Sequence, residues 1–389
     1  MYKTEIDLPA FMPDATYGAI KTLSFNDLNN IGIHGVVTNT LHIEQTIGSE
    51  NIKKIGGIHK FFNWNKFIVT DSGGWQVFSL INAKEDTKHI VTEVGCSFLN
   101  TKNGKHCFLS PETSIMIQHN LQPNAMIVLD FPIHGNATYS ERKQSVKITT
   151  QWAKRSLKKF KEIYSNNNNR PILGAVIQGG NDFELRTISA TELLELDLQM
   201  YNFGGTPMYF GETWKTTKEY RIFHEMLVYV SSLIPNDKIK YAMGVGQPID
   251  IAFCIDYGWD LFDTVLPTRN ARHGYLYTSL GTTDETRIYK PQNLLKNILS
   301  EDELSYSIMH IKTQRYIHDS EPVDANCKCE CCTTVSRSYL RHLLKIREPS
   351  GYRLATIHNL TFYENYVRKI RTKLRQNKKI NFHNHLKLK

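Results

Sequence analysis

Short apolar runs that each stop on a polar residue or glycine recur along this chain, and longer amphipathic stretches separate them. The runs fall at 33–39, 67–71, 126–130, 173–178, 200–203, 241–245 and 261–265. Their length and content predict strands with both faces buried. Between two of them, residues 140–164 place Val146, Trp152, Leu157 and Phe160 broadly on one side and many lysines elsewhere, which is helical spacing. Strands that alternate with helices pair in parallel. Seven or so such units favour an α/β fold of the (β/α)8 TIM-barrel type over an open doubly wound sheet. The open sheet stays compatible, because strand order is not written in a sequence.

The ends of the runs carry the functional signal. They are Asp71, Asp130, Gln178, Gly204–Gly205, Gly246 and Asp263. In a barrel all strand C-termini gather at one face, and that face carries the chemistry. Any one of these residues alone suits a turn or a helix cap. Three aspartates and a glutamine at the same relative place predict a convergent site.

Composition bounds the rest. The 389 residues, 41% of them hydrophobic, suffice for one large barrel plus a small subdomain. A net charge of +9 suits a polyanion partner, nucleic acid first, and equally a mildly basic soluble enzyme. The opening MYKTEIDLPAFMPDATYG has no basic segment followed by an apolar one, as a secretory signal would. No stretch reaches the roughly 20 apolar residues of a membrane span. A cytoplasmic protein without membrane contact is expected.

Four of the seven cysteines, Cys327, Cys329, Cys331 and Cys332, crowd into six residues. Such a cluster points to a metal, not to a disulfide framework. Three thiolates and a histidine make a closed tetrahedral set with no open position for water, so the metal expected is one structural Zn2+ per chain. The Cys-x-Cys-x2-Cys spacing favours Cys327, Cys329 and Cys332 with His358, although Cys331 rivals Cys332, and His342 and His383 rival His358 on spacing.

Longer motifs sharpen the reading. Asp71-Ser-Gly-Gly-Trp-Gln-Val-Phe-Ser-Leu80 resembles the active-site segment of tRNA-guanine transglycosylases, the queuine/preQ1 tRNA-ribosyltransferase family. So do Met243-Gly-Val-Gly246 and Leu261-Phe-Asp-Thr-Val-Leu-Pro-Thr-Arg-Asn-Ala-Arg-His-Gly274. The cysteine cluster, Tyr339-Leu-Arg-His-Leu343 and His358-Asn-Leu are similar to the family's zinc subdomain. The motifs run in the family's order from about Pro9 to Arg371.

The resemblance implies a TIM barrel over 1–285, an insertion over 286–310, a zinc-binding subdomain over 311–371 and a basic tail over 372–389. It implies a pentosyltransferase that exchanges guanine at the wobble position of G-U-N anticodon tRNAs for a free 7-deazaguanine base, preQ1 or queuine. Asp263 would be the nucleophile at the ribose C1′, forming a covalent aspartyl–ribose ester. Asp71 would transfer protons. The base would meet Ser72, Gly73, Gly74, Trp75, Asp130, Gln178, Gly205 and Met243. RNA would meet Gly244, Val245, Gly246, Gln247, Pro248, Ile249 and Asp250, then Thr268, Arg269, Asn270, Ala271 and Arg272, whose arginines suit phosphate and base edges. The family also implies a homodimer.

Phe131–Pro132, Trp75, the reading Thr-Pro-Met-Tyr-Phe-Gly-Glu over 206–212 and the 287–307 stretch depart from the family pattern. The departures gather at the base pocket and leave both catalytic aspartates in place. They keep open the same exchange on another nucleic acid such as DNA, and a reading from outside the family is a zinc nucleic-acid binding protein without enzymatic activity.

Overall fold

A computed structural model describes residues 5–74, 90–99, 104, 106–134, 136–165, 169–205, 218–279, 288–289 and 301–376. Its strands in chain order are β1 (Ala10–Pro13), β2 (Gly35–Thr38), β3 (Phe67–Thr70), β4 (Ile90–Val91), β5 (Cys96–Leu99), β6 (His106–Leu109) and β7 (Ala125–Ile127), then β8 (Ile172–Ile177), β9 (Met200–Phe203), β10 (Ile239–Ala242), β11 (Leu261–Thr264), β12 (Tyr275–Ser279), β13 (Ile288–Tyr289) and β14 (Tyr306–His310).

Eight of them form one parallel sheet in the order β1-β11-β10-β9-β8-β7-β3-β2. Omitting the short antiparallel strands, neighbours in this sheet are neighbours in the chain, which an open doubly wound sheet would not give. The ring closes where Asp14 bridges Val37 and the Ala15 amide donates to the Val37 carbonyl at 2.7 Å. A (β/α)8 barrel results.

The seven predicted strands all exist, with β10 two residues earlier than expected and β7 ending before the polar Asp130. The eighth, β1, was not expected. Its four residues, AFMP, end in proline and carry too short a pattern to read. Parallel pairing to β11 makes it a strand, with Ala10 opposite Leu261 and Met12 opposite Asp263.

Alternation sorts the strand side chains. Ala10, Met12, Val37, Val69, Ala125, Ile127, Val176, Met200, Tyr241 and Leu261 fill the barrel interior. The opposite faces, including Phe11, Val36, Ile68, Ala175, Phe203 and Phe262, pack under the outer helices. Local chemistry starts those helices. Thr138 and Glu141 form a capping box at Tyr139–Tyr164, and Ser110 and Asp182 cap Pro111–Leu121 and Phe183–Leu194.

Two antiparallel sheets decorate the ring. β4, β5 and β6 follow β3, and Trp152 Nε1 ties them down by donating to the Glu93 carbonyl at 3.0 Å. β12, β14 and β13 follow β11 and lead to the cysteine cluster. Most of 287–307 and of the predicted loop at 166–169 lies outside the described residues, as do Trp75 and 206–212. The chain ends in the long helix Pro349–Gln376. Its first half, with Leu354, Ala355 and Ile357, shares a core with the cysteines, and its second half, with Tyr363, Val367 and Ile370, shares the barrel's core. Past Arg371 it stays helical, and Arg375 Nη2 donates to Asp7 Oδ1 at 2.9 Å. Among the described residues no helix is long and apolar enough to cross a membrane.

Candidate active site and metal centre

The C-terminal ends of the barrel strands bring most of the expected residues to one mouth. Asp263 stands at the end of β11, half-buried and facing inward like Leu261. Tyr241 on β10 donates from its hydroxyl to Asp263 Oδ1 at 2.8 Å, and the Gly244 amide donates to the same oxygen at 2.9 Å. Oδ2 makes no hydrogen bond with a described residue. Burial holds this carboxyl above the ordinary aspartate range. One oxygen is thus clamped, and the described residues leave the other to face a ligand.

Asp71 follows β3. Asn39 Nδ2 donates to its Oδ2 at 2.6 Å, and the amides of Thr40 and Gly73 donate to Oδ1 at 3.0 and 3.2 Å. Burial nevertheless pushes its carboxyl up to about 7, because desolvation outweighs these donors and Asp14 adds like charge. A carboxyl near 7 can both give and take a proton at neutral pH.

Asp130, past the end of β7, is buried between two donors. Ser72 Oγ reaches its Oδ1 at 3.0 Å, and Gln178 Nε2 reaches its Oδ2 at 2.8 Å. Burial raises its pKa. At the other end of Gln178, Oε1 is buried and has no hydrogen-bond partner among the described residues. An orphaned buried acceptor costs about 1–3 kcal/mol and marks a place for a ligand donor.

The glycines here have steric reasons. A Cβ at Gly204 would lie 2.2 Å from Val176 Cγ1, and one at Gly74 would lie 2.6 Å from the Asp130 carbonyl oxygen. Gly205 has φ +82°, open to glycine and strained for other residues. Met243 lies partly buried against the interior core.

Of the expected RNA-facing residues, Val245, Gly246, Pro248, Ile249, Asp250, Thr268 and Ala271 are buried. The Asp250 carboxylate accepts from Tyr220 Oη at 2.7 Å and lies 3.2 Å from His224 Nε2. Surface open to a polynucleotide therefore falls to Gly244, Gln247, Arg269, Asn270 and Arg272. Arg269 is exposed, and Arg272 is held by a bond from Nη1 to the Thr268 carbonyl at 2.8 Å.

Sequence reasoning passed over four residues at this mouth. Asn39 and Tyr241 hold the two carboxylates, and Asp14 sits beside them. Arg186, buried, donates to the carbonyls of Ile177, Gly180 and Gly204 and so braces the ends of β8 and β9. Asn39 closes its apolar run as Asp71 closes the next, so the same signal could have found it. Arg186 sits mid-helix with no sequence signal.

The candidate metal centre lies beyond β12. Ligand atoms of Cys327, Cys329, Cys332 and His358 all lie within 4.8 Å of one another. Cys329 Sγ and Cys332 Sγ stand 3.7 and 3.2 Å from His358 Nδ1. Tetrahedral zinc bonds of about 2.3 Å to sulfur and about 2.0 Å to nitrogen set ligand separations of about 3.5–3.8 Å. The donor set and its spacing therefore fit such an ion. Nε2 of His358 lies 2.7 Å from the Tyr277 carbonyl, which only accepts, so Nε2 carries the proton and Nδ1 faces the thiols. Cys331 is buried outside this group. The helix Glu330–Thr334 explains why, since it puts Cys329 and Cys332 on one face and turns Cys331 about 100° away.

A parallel barrel with clamped carboxylates at its C-terminal mouth, and a thiolate–histidine cluster on the segment that follows its last strand, defines a TIM-barrel enzyme with a metal-binding subdomain. The family model described as queuine tRNA-ribosyltransferase matches residues 1–388. A queuine tRNA-ribosyltransferase of Blochmanniella pennsylvanica is 38% identical over 377 residues, 97% of this chain and 91% of its own. One from Psychrobacter is 38% identical over 367 residues, 94% of this chain and 86% of its own. One from Mannheimia succiniciproducens is 36% identical over 373 residues, 96% and 87% of the two chains. The chain belongs to the queuine tRNA-ribosyltransferase family of pentosyltransferases.

Proposed function

We propose that this enzyme exchanges guanine at the wobble position of G-U-N tRNAs for a free 7-deazaguanine base, preQ1 or queuine. The observation that carries the reading is the split state of Asp263, with Oδ1 clamped by Tyr241 and Gly244 and Oδ2 unengaged by any described residue. Oδ2 attacks the ribose C1′ while the C1′–N9 bond breaks and its electron pair leaves with guanine. The product is an aspartyl ester of the RNA ribose. Asp71 supplies the departing base with a proton. It then takes the N9 proton of the incoming base, whose nitrogen displaces Asp263 and restores a glycosidic bond. Protons and electrons balance over the cycle.

Asp130 and Gln178 offer a purine the pattern it needs. The Asp130 carboxylate accepts from the base's N–H edge, and the Gln178 amide bonds the Watson–Crick side. Arg269 and Arg272 contact the flanking nucleotides. Bound zinc would hold the 327–358 segment in shape, and with three thiolates and a histidine it leaves no place for a reacting water.

The test is incorporation of labelled guanine into a tRNA with a G-U-N anticodon and into the same tRNA with its wobble G changed to A. Wild type should label only the first. Asp263→Ala should lose at least about 1,000-fold, as expected for removal of a nucleophile. Equal labelling of both tRNAs, or an active Asp263→Ala, overturns the reading.

A further inference from the structure

The exchange chemistry above leaves one carboxylate at the mouth without a task. Asp14 follows β1, whose Ala10 and Met12 point into the barrel, and strand alternation points residue 14 the same way. Met12 is in register with Asp263, and Asp14 itself bridges Val37 on β2. Asp14 therefore stands at the rim, flanked by Asp263 on one side and by Asn39, the partner of Asp71, on the other. Thr16 Oγ1 donates to its Oδ1 at 2.8 Å, and the Thr16 amide also donates to this carboxylate.

A third carboxylate here opposes its neighbours. Burial and the Asp263 carboxylate push Asp14 up to about 6, and Asp14 in turn raises Asp71. It is still mostly ionised at neutral pH, and among the described residues only Thr16 donates to it, which leaves the carboxylate lone pairs for a ligand donor. The buried Oε1 of Gln178, without a partner among the described residues, independently points to a ligand donor at this mouth.

We propose that Asp14 accepts a hydrogen bond from a ribose 2′-hydroxyl of the bound strand, and that this contact makes the site prefer RNA to DNA. The inference rests on the base-exchange reading. A nucleophile aimed at C1′ brings the hydroxyl of the adjacent carbon within the ring of carboxylates. DNA lacks that donor and would leave Asp14 desolvated with only its Thr16 donors. The ribose of the target nucleotide or that of its 5′ neighbour could supply the hydroxyl.

Labelled-guanine exchange into three anticodon stem-loops decides the matter: all-ribo, deoxy at the target only, and deoxy at its 5′ neighbour only. Wild type, Asp14→Asn and Asp14→Ala are compared after thermal melts confirm that each folds. Wild type should lose about tenfold or more in kcat/KM on one deoxy substrate, worth about 1.4 kcal/mol. Whichever arm drops identifies the ribose. Asp14→Ala should fall about tenfold on the all-ribo substrate and be insensitive to that same deoxy change. Asp14→Asn, similar in shape and uncharged, should keep part of the discrimination and decides the question if Asp14→Ala does not fold. Wild-type indifference to both deoxy changes overturns the proposal, as does an Asp14 variant that slows every substrate equally. Wild type that labels no substrate overturns the base-exchange reading itself.

Discussion

Asp71 shows how a single side chain can be held against its own solvation. Its pKa of about 7 lies above the roughly 3.9 of an unfolded chain. Between those values the folded state binds a proton that the unfolded state has released, so this group's contribution to stability falls as pH rises through the window. Asp71→Asn removes the charge. The variant should melt above wild type at pH 8, and the gap should shrink as pH falls toward 4. Melting temperatures across that range check it, and a gap independent of pH would show that burial of this carboxylate is not what strains the site. The same variant should lose base exchange. The residue was legible in the sequence as the polar end of an apolar run. Its protonation was not, because that depends on burial and on Asn39, Thr40 and Asp14 converging from other segments.

At the scale of elements, a four-residue strand and a five-residue helix decide most. β1 is too short to be read, yet it closes the barrel and carries Asp14. The helix Glu330–Thr334 sorts neighbouring cysteines by its pitch. Cys332→Ser should lose the bound metal, lower stability by roughly 3 kcal/mol or more, and expose the segment to proteolysis. Cys331→Ser should keep one metal per chain and cost about 1–3 kcal/mol for a buried hydroxyl. Metal analysis of the two purified variants separates them, and the opposite result would reverse the ligand assignment. Asn359, next to the histidine ligand, donates to the carbonyls of Pro267 and Tyr275 at 3.0 and 2.9 Å and accepts from the Tyr277 amide at 3.1 Å. The same helix turn thus carries both the histidine of the cysteine cluster and the ties to the segment that follows Asp263.

For the whole molecule, the helix Pro349–Gln376 joins two cores that the chain order separates. Tyr363 Oη donates to the Gly246 carbonyl at 2.8 Å beside the mouth, and Arg371 pairs with buried Glu364 at 2.9 Å. Barrel and metal segment should therefore melt together. Adding a strong chelator should move one calorimetric transition to lower temperature, with no second transition appearing. Two resolved transitions would mean that the helix does not couple the cores.

By itself the sequence determined the alternation that selects an α/β fold, the polar strand ends that mark a site, and a cysteine cluster able to hold a metal. These follow from local periodicity and residue chemistry, which a linear chain displays. Ring closure through β1, the exclusion of Cys331 as the rival that spacing left open, the clamp of Tyr241 on Asp263, and the meeting of Asp14 with two other carboxylates were decided only by tertiary structure. Each depends on the distance between residues far apart in the chain or on the angle of a turn, and burial then sets what those groups can do.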